Sequence, residues 1–156
     1  MIDLTFRSYQ SSDHEQVMQL HKEALLHSNA YTGEGPWDDD LLDIENHYLN
    51  NNGWFVVGEM NDTLVTMGAI RKISERIAEI KRMRTQPRLQ GKGIGKKVLD
   101  LLIKKAEELG YEEIILETSD RQPAAQKIYT SSGFVPYKQE NIRGLNCTWY
   151  RKILAP

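Results

Sequence analysis

The chain has 156 residues, of which 40% are hydrophobic and 27% are charged, and this composition predicts a single globular domain over residues 1–156. No run of about 18 apolar residues occurs, and the N-terminal sequence MIDLTFR lacks the basic start and the apolar stretch of a signal peptide. We therefore expect a cytoplasmic protein that does not enter a membrane. A pI near 6.1 argues against nucleic acid as a partner, and one cysteine with four scattered histidines predicts no metal site.

The net charge of -2 hides a separation of charge along the chain. Residues 1–70 carry 2 Lys or Arg against 12 Asp or Glu, whereas residues 71–105 carry 12 Lys or Arg against 3 acidic residues. A solvated helix face would account for part of the basic segment. An anionic ligand accounts for more of it, because the segment also contains a glycine-rich turn.

The first part of the chain predicts a strand, a helix and a loop. Ile2–Arg7 is typical of a short strand, and Ser12 with Glu15 has the form of a capping box, so a helix should follow. The apolar stripe of that helix includes His21, which we interpret as an ordinary residue at the edge of the core. The loop after the helix, residues 28–40, carries two aromatic side chains.

These two aromatic residues, Tyr31 and Trp37, are candidates for binding a substrate in a pocket. Trp37 is equally suited to filling the core beneath a long loop. The sequence alone does not separate these two interpretations.

The rest of the chain alternates apolar runs typical of strands with two segments of helical spacing. The predicted strands are Trp54–Glu59, Leu64–Ile70, Ala78–Thr85, Ile114–Leu116, Phe134–Tyr137 and Asn146–Ile153. The predicted helices are Ile94–Leu109 and Pro123–Ser131, which Gly110 and Gly133 should end. The first two strands should form a hairpin, and residues 78–116 a parallel strand–helix–strand unit with a right-handed crossover. Cys147 is expected to be a small buried hydrophobic residue.

The turn at residues 90–95, QGKGIG, places three glycines at alternate positions just before a predicted helix. Glycines in such a turn can present backbone N–H groups to a phosphate at the positive end of the helix dipole. The spacing matches neither GxGxxG nor GxxxxGK[ST], the two nucleotide-binding fingerprints. We therefore predict a cradle for a phosphorylated ligand, placed after a strand end as ligand sites in such sheets are.

Three segments together resemble the GNAT superfamily of N-acetyltransferases. Residues 90–95 are similar to the family's acetyl-CoA pyrophosphate motif, Q-x-x-G-x-G, and Glu79 lies eleven residues before Gln90, where many members have a catalytic glutamate. Residues 125–134, AQKIYTSSGF, resemble the family's A-x-x-L-Y-x-x-x-G-F segment. The resemblance implies an α/β (α+β) fold, in which a mixed central sheet of about seven strands has helices on both faces and the parallel strand–helix–strand unit at its core.

The resemblance also implies that acetyl-CoA is the cosubstrate. The implied cofactor-binding residues are Met83, Arg84, Thr85, Gln90, Gly91, Lys92, Gly93, Ile94, Gly95, Lys96 and Gln122. The backbones of Met83 and Thr85 would pair with the pantetheine as if it were an added strand, and the Met83 N–H would donate to the oxyanion. Gln122 stands where many members have Asn. Its amide could still hydrogen-bond the pantetheine, but its longer side chain changes the reach of that contact.

Two residues are implied to be catalytic. Glu79 would accept the proton of an amine, which has a pKa near ~10 and is protonated at neutral pH. From the residues alone, an ion pair of Glu79 with Lys81 or Arg76 is the simpler interpretation. Tyr129 would donate a proton to the departing thiolate, although a core aromatic residue is the alternative.

The acceptor is left open, as a primary amine of a small molecule or a peptide. The acidic residues between Asp38 and Glu45 could form an acidic entrance that attracts a cationic amine such as a polyamine, or a solvated helix N-terminus. A homodimer is common in the family. The alternative functions are a non-catalytic acyl-CoA-binding sensor or partner module and, less consistent with the motifs, a protein that binds another phosphorylated ligand.

Overall fold

Seven strands and three α-helices form the described part of the chain, residues 3–154, in a computed structural model. The strands are β1 (Thr5–Ser8), β2 (Trp54–Met60), β3 (Thr63–Lys72), β4 (Ile77–Thr85), β5 (Glu113–Ser119), β6 (Val135–Ile142) and β7 (Leu145–Ile153). The α-helices are α1 (His14–His27), α2 (Ile94–Glu108) and α3 (Pro123–Ser131). Shorter helical segments lie at Ser11–Asp13, Pro36–Leu42 and Pro87–Leu89, which are 3₁₀ helices, and at Glu45–Leu49, a π-helical turn.

The strands form one mixed sheet in the order β1-β2-β3-β4-β5-β7-β6. β4 and β5 run parallel, and the other neighbouring strands of residues 3–154 are antiparallel. The β2–β3 hairpin turns at Asn61 and Asp62, whose φ angles of 53° and 63° are those of a tight turn of the primed type. The predicted fold class, strand number and parallel unit are therefore confirmed.

Apolar side chains cover both faces of the sheet. α2 and α3 pack on one face, around core residues that include Val98, Leu102, Ile114 and Phe134. α1 and residues 36–49 cover the other face, around Val17, Leu20, Leu41, Ile44, Tyr48, Phe55, Val57 and Met67. Alternate residues of β2 enter the two cores, which explains why this strand is a continuous apolar run.

Glycine ends α2 and α3 as predicted. Gly110 has a φ of 90°, and the N–H of Tyr111 reaches back to the carbonyl of Ala106 at 3.0 Å, the hydrogen bond of a Schellman motif. Gly133 has a φ of 89° and follows α3 in the same way. These glycines fix where the chain leaves each helix, and so they fix the starts of β5 and β6.

Three local predictions need correction. The first strand begins at Thr5, and Ile2 lies outside the described residues. The capping box of Ser12 and Glu15 is not formed, because the Asp13 carboxylate instead accepts the Gln10 N–H at 2.8 Å. β6 continues to Ile142, five residues beyond the prediction, because residues 138–141, KQEN, are exposed and polar and leave no apolar pattern to read.

None of the helices within residues 3–154 has the length and hydropathy needed to span a bilayer.

Candidate active site

A cavity of about 340 Å³ lies between α1, the loop that follows it and the carboxyl ends of β4 and β5. Seven of the residues predicted to be catalytic or to bind cofactor or substrate line it: Tyr31, Trp37, Glu79, Met83, Arg84, Gln122 and Tyr129. The other predicted cofactor residues do not line this cavity and follow it along the chain: Thr85, Gln90, Gly91, Lys92, Gly93, Ile94, Gly95 and Lys96. The predicted site therefore has two parts, a cavity and a glycine turn.

The cavity exists because β4 and β5 separate. Their pairing runs from Ile77 opposite Glu113 to Ile80 opposite Leu116, and it stops there although both strands continue. β4 also carries a bulge at this point, where Arg82 has a φ of 60° and the register against β3 shifts. From Lys81 onward the β5-facing edge of β4 consequently lacks a strand partner in the described pairing, which leaves it free to bind an extended ligand.

Glu79 lies in this cavity, on β4, and is 7% exposed. Burial raises the pKa of its carboxyl above the usual value, and this effect is opposed by the positive charges of Lys81 and Arg71. The nearest cation is Arg71, whose Nη1 lies 3.7 Å from Oε1 of Glu79. Arg76 is not a partner, because it binds Glu112 at 2.5 Å.

Tyr129 reaches the same cavity from α3. Its hydroxyl group lies 3.7 Å from the sulfur of Met83, which follows the bulge of β4. Burial raises the pKa of Tyr129 to about 12, and the charge of Arg84 opposes this shift. The phenol is therefore protonated at neutral pH and can donate a proton. Tyr129 also packs on Phe134 and Tyr150, so it is a core aromatic residue whose polar end faces the cavity.

The glycine turn has the shape of an anion cradle. Gly91 and Gly93 have φ angles of 79° and 82°, and a Cβ added at either would meet no heavy atom within 4 Å. Gly93 precedes α2, and no side chain caps this end of the helix, so its first amide N–H groups are available to a ligand. Gly95 has a different role, since a Cβ there would lie 3.2 Å from Ile128 of α3.

The basic side chains near the turn are only partly engaged. Lys96 forms an exposed ion pair with Asp100 at 2.6 Å, and Lys92 is exposed to solvent. Gln90 donates its side-chain N–H to the carbonyl of Thr85 at 3.3 Å, which ties the turn to the end of β4.

The acidic segment divides into two groups: Asp39, Asp43 and Glu45 are exposed, as a solvated helix end would have them, whereas Asp38 and Asp40 are largely buried. Asp38 and Asp40 bind Arg82, which is 8% exposed, at 2.9 and 2.5 Å, and Tyr48 donates a hydrogen bond to Asp40. Burial alone would lower the pKa of Arg82, but Asp40 raises it above the ordinary value. These two carboxylates are thus neither solvated nor free to attract a cationic amine. Part of the charge separation along the sequence is explained by this pairing between the acidic and basic segments.

We predict that this buried ion pair stabilises the fold strongly. Arg82→Met should lower the free energy of unfolding by about 3–5 kcal/mol, because it leaves Asp38 and Asp40 buried without a counter-ion. Arg76→Met is the matched control, since it breaks an exposed pair that contributes under about 1 kcal/mol. Urea unfolding of both variants measures the difference, and equal losses would contradict the assignment.

The aromatic loop residues both line the cavity, which favours the pocket interpretation of Trp37. Trp37 donates its ring N–H to the carbonyl of Gly33 at 3.2 Å, and the guanidinium of Arg143 lies over the ring at 4.7 Å. Gln122 also lies in the cavity wall, where its carbonyl oxygen accepts a hydrogen bond from Thr118 at 3.4 Å.

The sequence did not predict that several polar side chains line the cavity: His21, Arg71, Arg84, Glu117 and Arg143. His21 is buried and has a pKa lowered to about 4, by burial first and then by Arg84 and Arg82, so it is neutral. Glu117 could have been found, because it lies near the carboxyl end of the strand beside Glu79.

Comparison with known proteins gives the chain a family. The sequence model of the Acetyltransferase (GNAT) family matches residues 14–134. The chain is 41% identical over 75 residues to the uncharacterized N-acetyltransferase YsnE of Bacillus subtilis, which covers 47% of this chain and 50% of YsnE. It is 30% identical over 121 residues to human N-acetylaspartate synthetase, covering 76% of this chain and 36% of that protein. The chain thus spans about half or less of the length of these relatives.

Solved structures share the fold. An acetyltransferase of the GNAT family from Staphylococcus aureus Mu50 superposes with a TM-score of 0.89 at 23% identity, covering 97% of this chain and 99% of that one. The putative acetyltransferase yncA from Salmonella typhimurium, solved with acetyl-CoA, superposes with a TM-score of 0.79 at 22% identity over 97% and 94% of the two chains. Because the family model spans α1, the glycine turn and the Tyr129 segment, the chain belongs to the GNAT family of acetyltransferases.

Proposed function

We propose that this protein is an acetyl-CoA-dependent N-acetyltransferase that acetylates a primary amine of a small molecule or peptide by direct attack in a ternary complex. The observation that supports this most is that one cavity contains a buried carboxylate, Glu79, and a buried phenol, Tyr129. The cavity also adjoins the unpaired edge of β4. A base, an acid and a slot for an extended cosubstrate are what acetyl transfer to an amine requires.

The described residues fit acetyl-CoA in two places. The backbone of Gly91 and Gly93 and the uncapped start of α2 would hold the pyrophosphate, because they offer N–H groups on an open surface. The edge of β4 at Met83 and Thr85 would pair with the pantetheine. Bound there, acetyl-CoA supplies the activated acetyl group.

Glu79 is the proposed general base. An acceptor amine arrives protonated at neutral pH, and its proton must leave before the nitrogen can attack. The carboxyl of Glu79 has a pKa raised by burial, which makes it a stronger base than an exposed carboxylate. The proton passes to Glu79 either directly or through a water molecule.

Met83 and Tyr129 are proposed to act on the thioester, at the oxyanion and at the departing thiolate. The Met83 N–H would donate to the oxygen on which negative charge develops. Tyr129, held 3.7 Å from the Met83 sulfur, would give its proton to the departing thiolate and regain one from solvent. Positioning both substrates in one cleft supplies much of the acceleration, so no covalent intermediate on the protein is needed.

The comparisons support the reaction type. The family model is that of acetyltransferases, and the name of one relative, N-acetylaspartate synthetase, describes the formation of an N-acetylated product. A protein of similar fold was solved with acetyl-CoA.

The proposal is tested by combining thermal stability with release of free thiol. Coenzyme A should raise the Tm, ATP should not, and acetyl-CoA should release thiol when an amine from a panel is added. Stabilisation by coenzyme A without thiol release from any amine would instead indicate an acyl-CoA-binding sensor. Stabilisation by ATP alone would indicate another phosphorylated ligand.

The glycine cradle makes a separate prediction. Gly93→Ala should raise the KM for acetyl-CoA roughly tenfold, because the added methyl group faces the open side of the turn and disturbs charge-assisted N–H contacts. Gly110→Ala is the matched control, since Gly110 also has a positive φ of 90° and open space around its Cα, but lies at the other end of α2. Both variants should lose similar stability, and an equal rise in KM would argue against the cradle.

A further inference from the structure

Arg84 is a basic side chain of the cavity that has no carboxylate within 4 Å among residues 3–154. Its Nη1 donates to the carbonyl of Met83 at 2.8 Å, and its Nε lies 3.4 Å from Nδ1 of His21, which is neutral. Burial, followed by repulsion from Arg82, lowers the pKa of Arg84 to about 10, so the guanidinium remains charged at neutral pH. A partly buried charge with no carboxylate within 4 Å loses hydration without gaining a counter-ion, and an anion brought by a ligand would offset that cost.

Its neighbour on β4 shows the contrast. Arg82 lies two residues earlier and is bound by Asp38, Asp40 and the carbonyl of Trp37. These contacts use the donors of Arg82 and match its charge within the protein. Arg84, in the same wall of the same cavity, has a neutral histidine and a backbone carbonyl instead.

The charged side chains of the whole cavity also favour an anionic group on the ligand. Five basic side chains line it, Arg71, Lys81, Arg82, Arg84 and Arg143, against three carboxylates, Asp38, Glu79 and Glu117. Asp38 is bound by Arg82, and Glu79 lies near Arg71. Lys81 and Arg143, like Arg84, have no carboxylate within 4 Å in the described range. An excess of positive charge disfavours a polycationic acceptor.

We infer, on the basis of the proposed function, that the acceptor is an amine that also carries a carboxylate, which Arg84 binds while the amino group faces Glu79. A planar guanidinium can hold a carboxylate through two parallel hydrogen bonds. One negative charge is favoured over the two of a phosphate, because Glu79 and Glu117 lie in the same cavity and would repel the second. A cavity of about 340 Å³ suits a molecule of the size of an amino acid or a dipeptide. The polyamine preference expected from the acidic segment is replaced by this one.

The test compares amino acids with their C-terminal amides. The ratio of kcat/KM for acid over amide is measured in the wild type, in Arg84→Gln and in Arg84→Lys. Comparing this ratio between proteins removes the difference in basicity between the two amines. The wild type should prefer the acids, and Arg84→Gln should lower the ratio roughly 10- to 100-fold, the loss of one charged hydrogen-bonded pair. Arg84→Lys should fall between them, because it keeps the charge without the two-pronged geometry.

Two further measurements separate an effect on binding of the carboxylate from a general loss of activity. Arg76→Gln, an exposed change just before β4, should leave the ratio as in the wild type. Thermal stabilisation of the wild type by the acids, but not by the amides, should appear in the presence of coenzyme A, and it requires no turnover.

Several results would overturn the inference. One is a wild type that turns over amides or polyamines at least as well as acids, which leaves the proposed acetyl transfer intact. Another is an Arg84→Gln variant that loses activity equally for acid and amide, since Arg84 would then act on a step common to both. Absence of thiol release with every amine would overturn the proposed function, and this inference with it.

Discussion

Replacing Glu79 with glutamine is expected to lower kcat/KM for the amine by about 100-fold or more, the usual contribution of a positioned general base. Glutamine keeps the size of the side chain and removes its ability to accept a proton. In the wild type, kcat/KM should fall as the pH decreases through the raised pKa of Glu79, because the protonated carboxyl is no longer a base. In the variant this dependence should be absent, and only the titration of the amine should remain. Steady-state kinetics between about pH 5 and about pH 9 measure both effects.

Two controls accompany this experiment: the Tm of Glu79→Gln, and the kinetics of a variant at a second carboxylate, Glu117. Folding raises the pKa of Glu79, so its ionised form destabilises the folded state at neutral pH and neutral glutamine should not lower the Tm. Glu117→Gln removes a second carboxylate of the cavity wall, which lies on β5 next to the strand of Glu79. If Glu117→Gln abolished the pH dependence while Glu79→Gln preserved it, Glu117 would be the base and the assignment would be wrong.

Replacing Tyr129 with phenylalanine is expected to lower kcat about 100-fold, because the departing thiolate would lose its proton donor. The ring and its contacts with Phe134 and Tyr150 are kept, so the effect should reside in the hydroxyl group. With a pKa raised to about 12, Tyr129 stays protonated in the wild type at neutral pH, and its ionisation should reduce kcat only under strongly alkaline conditions.

Tyr150→Phe is the matched control for this prediction. Tyr150 is also buried and its ring lies 6.2 Å from that of Tyr129, but it does not line the cavity. Removing the Tyr150 hydroxyl group should therefore leave kcat near the wild-type value. Equal rates for the wild type and Tyr129→Phe would assign the tyrosine a packing role.

The fold was predictable from the sequence where apolar patterns are strong. The bounds of β3 and α2 were predicted to within two residues, because both elements bury regularly spaced apolar side chains. β5 was predicted as Ile114–Leu116 only, because its last residues, Glu117–Ser119, are polar. β6 was predicted too short, since an exposed edge strand is held by backbone hydrogen bonds to β7 and has no buried face. The predicted capping box of Ser12 and Glu15 was wrong for another reason. Asp13 binds Arg7 of β1 at 2.7 Å, and this contact between distant elements is not visible in the local sequence pattern.

The candidate site was predictable in its backbone parts and in residues that match a family motif. Gly91 and Gly93 adopt the left-handed conformation predicted for a turn that could hold a phosphate, and Glu79 and Tyr129 line one cavity. The pairing of the charged side chains was not predictable, because Arg82 binds Asp38 and Asp40, which lie more than forty residues earlier in the chain. Only the folded arrangement shows which cations are matched and that Arg84 is not.

The most direct test of the account is a single-turnover experiment with the protein in excess over acetyl-CoA. After mixing with an amine that the protein acetylates, free thiol and acetylated amine should form together at one rate, and mass spectrometry should find no acetylated protein. Direct attack by the amine predicts this result. Acetylation of the protein before the amine is added, followed by its loss to the amine, would contradict the account.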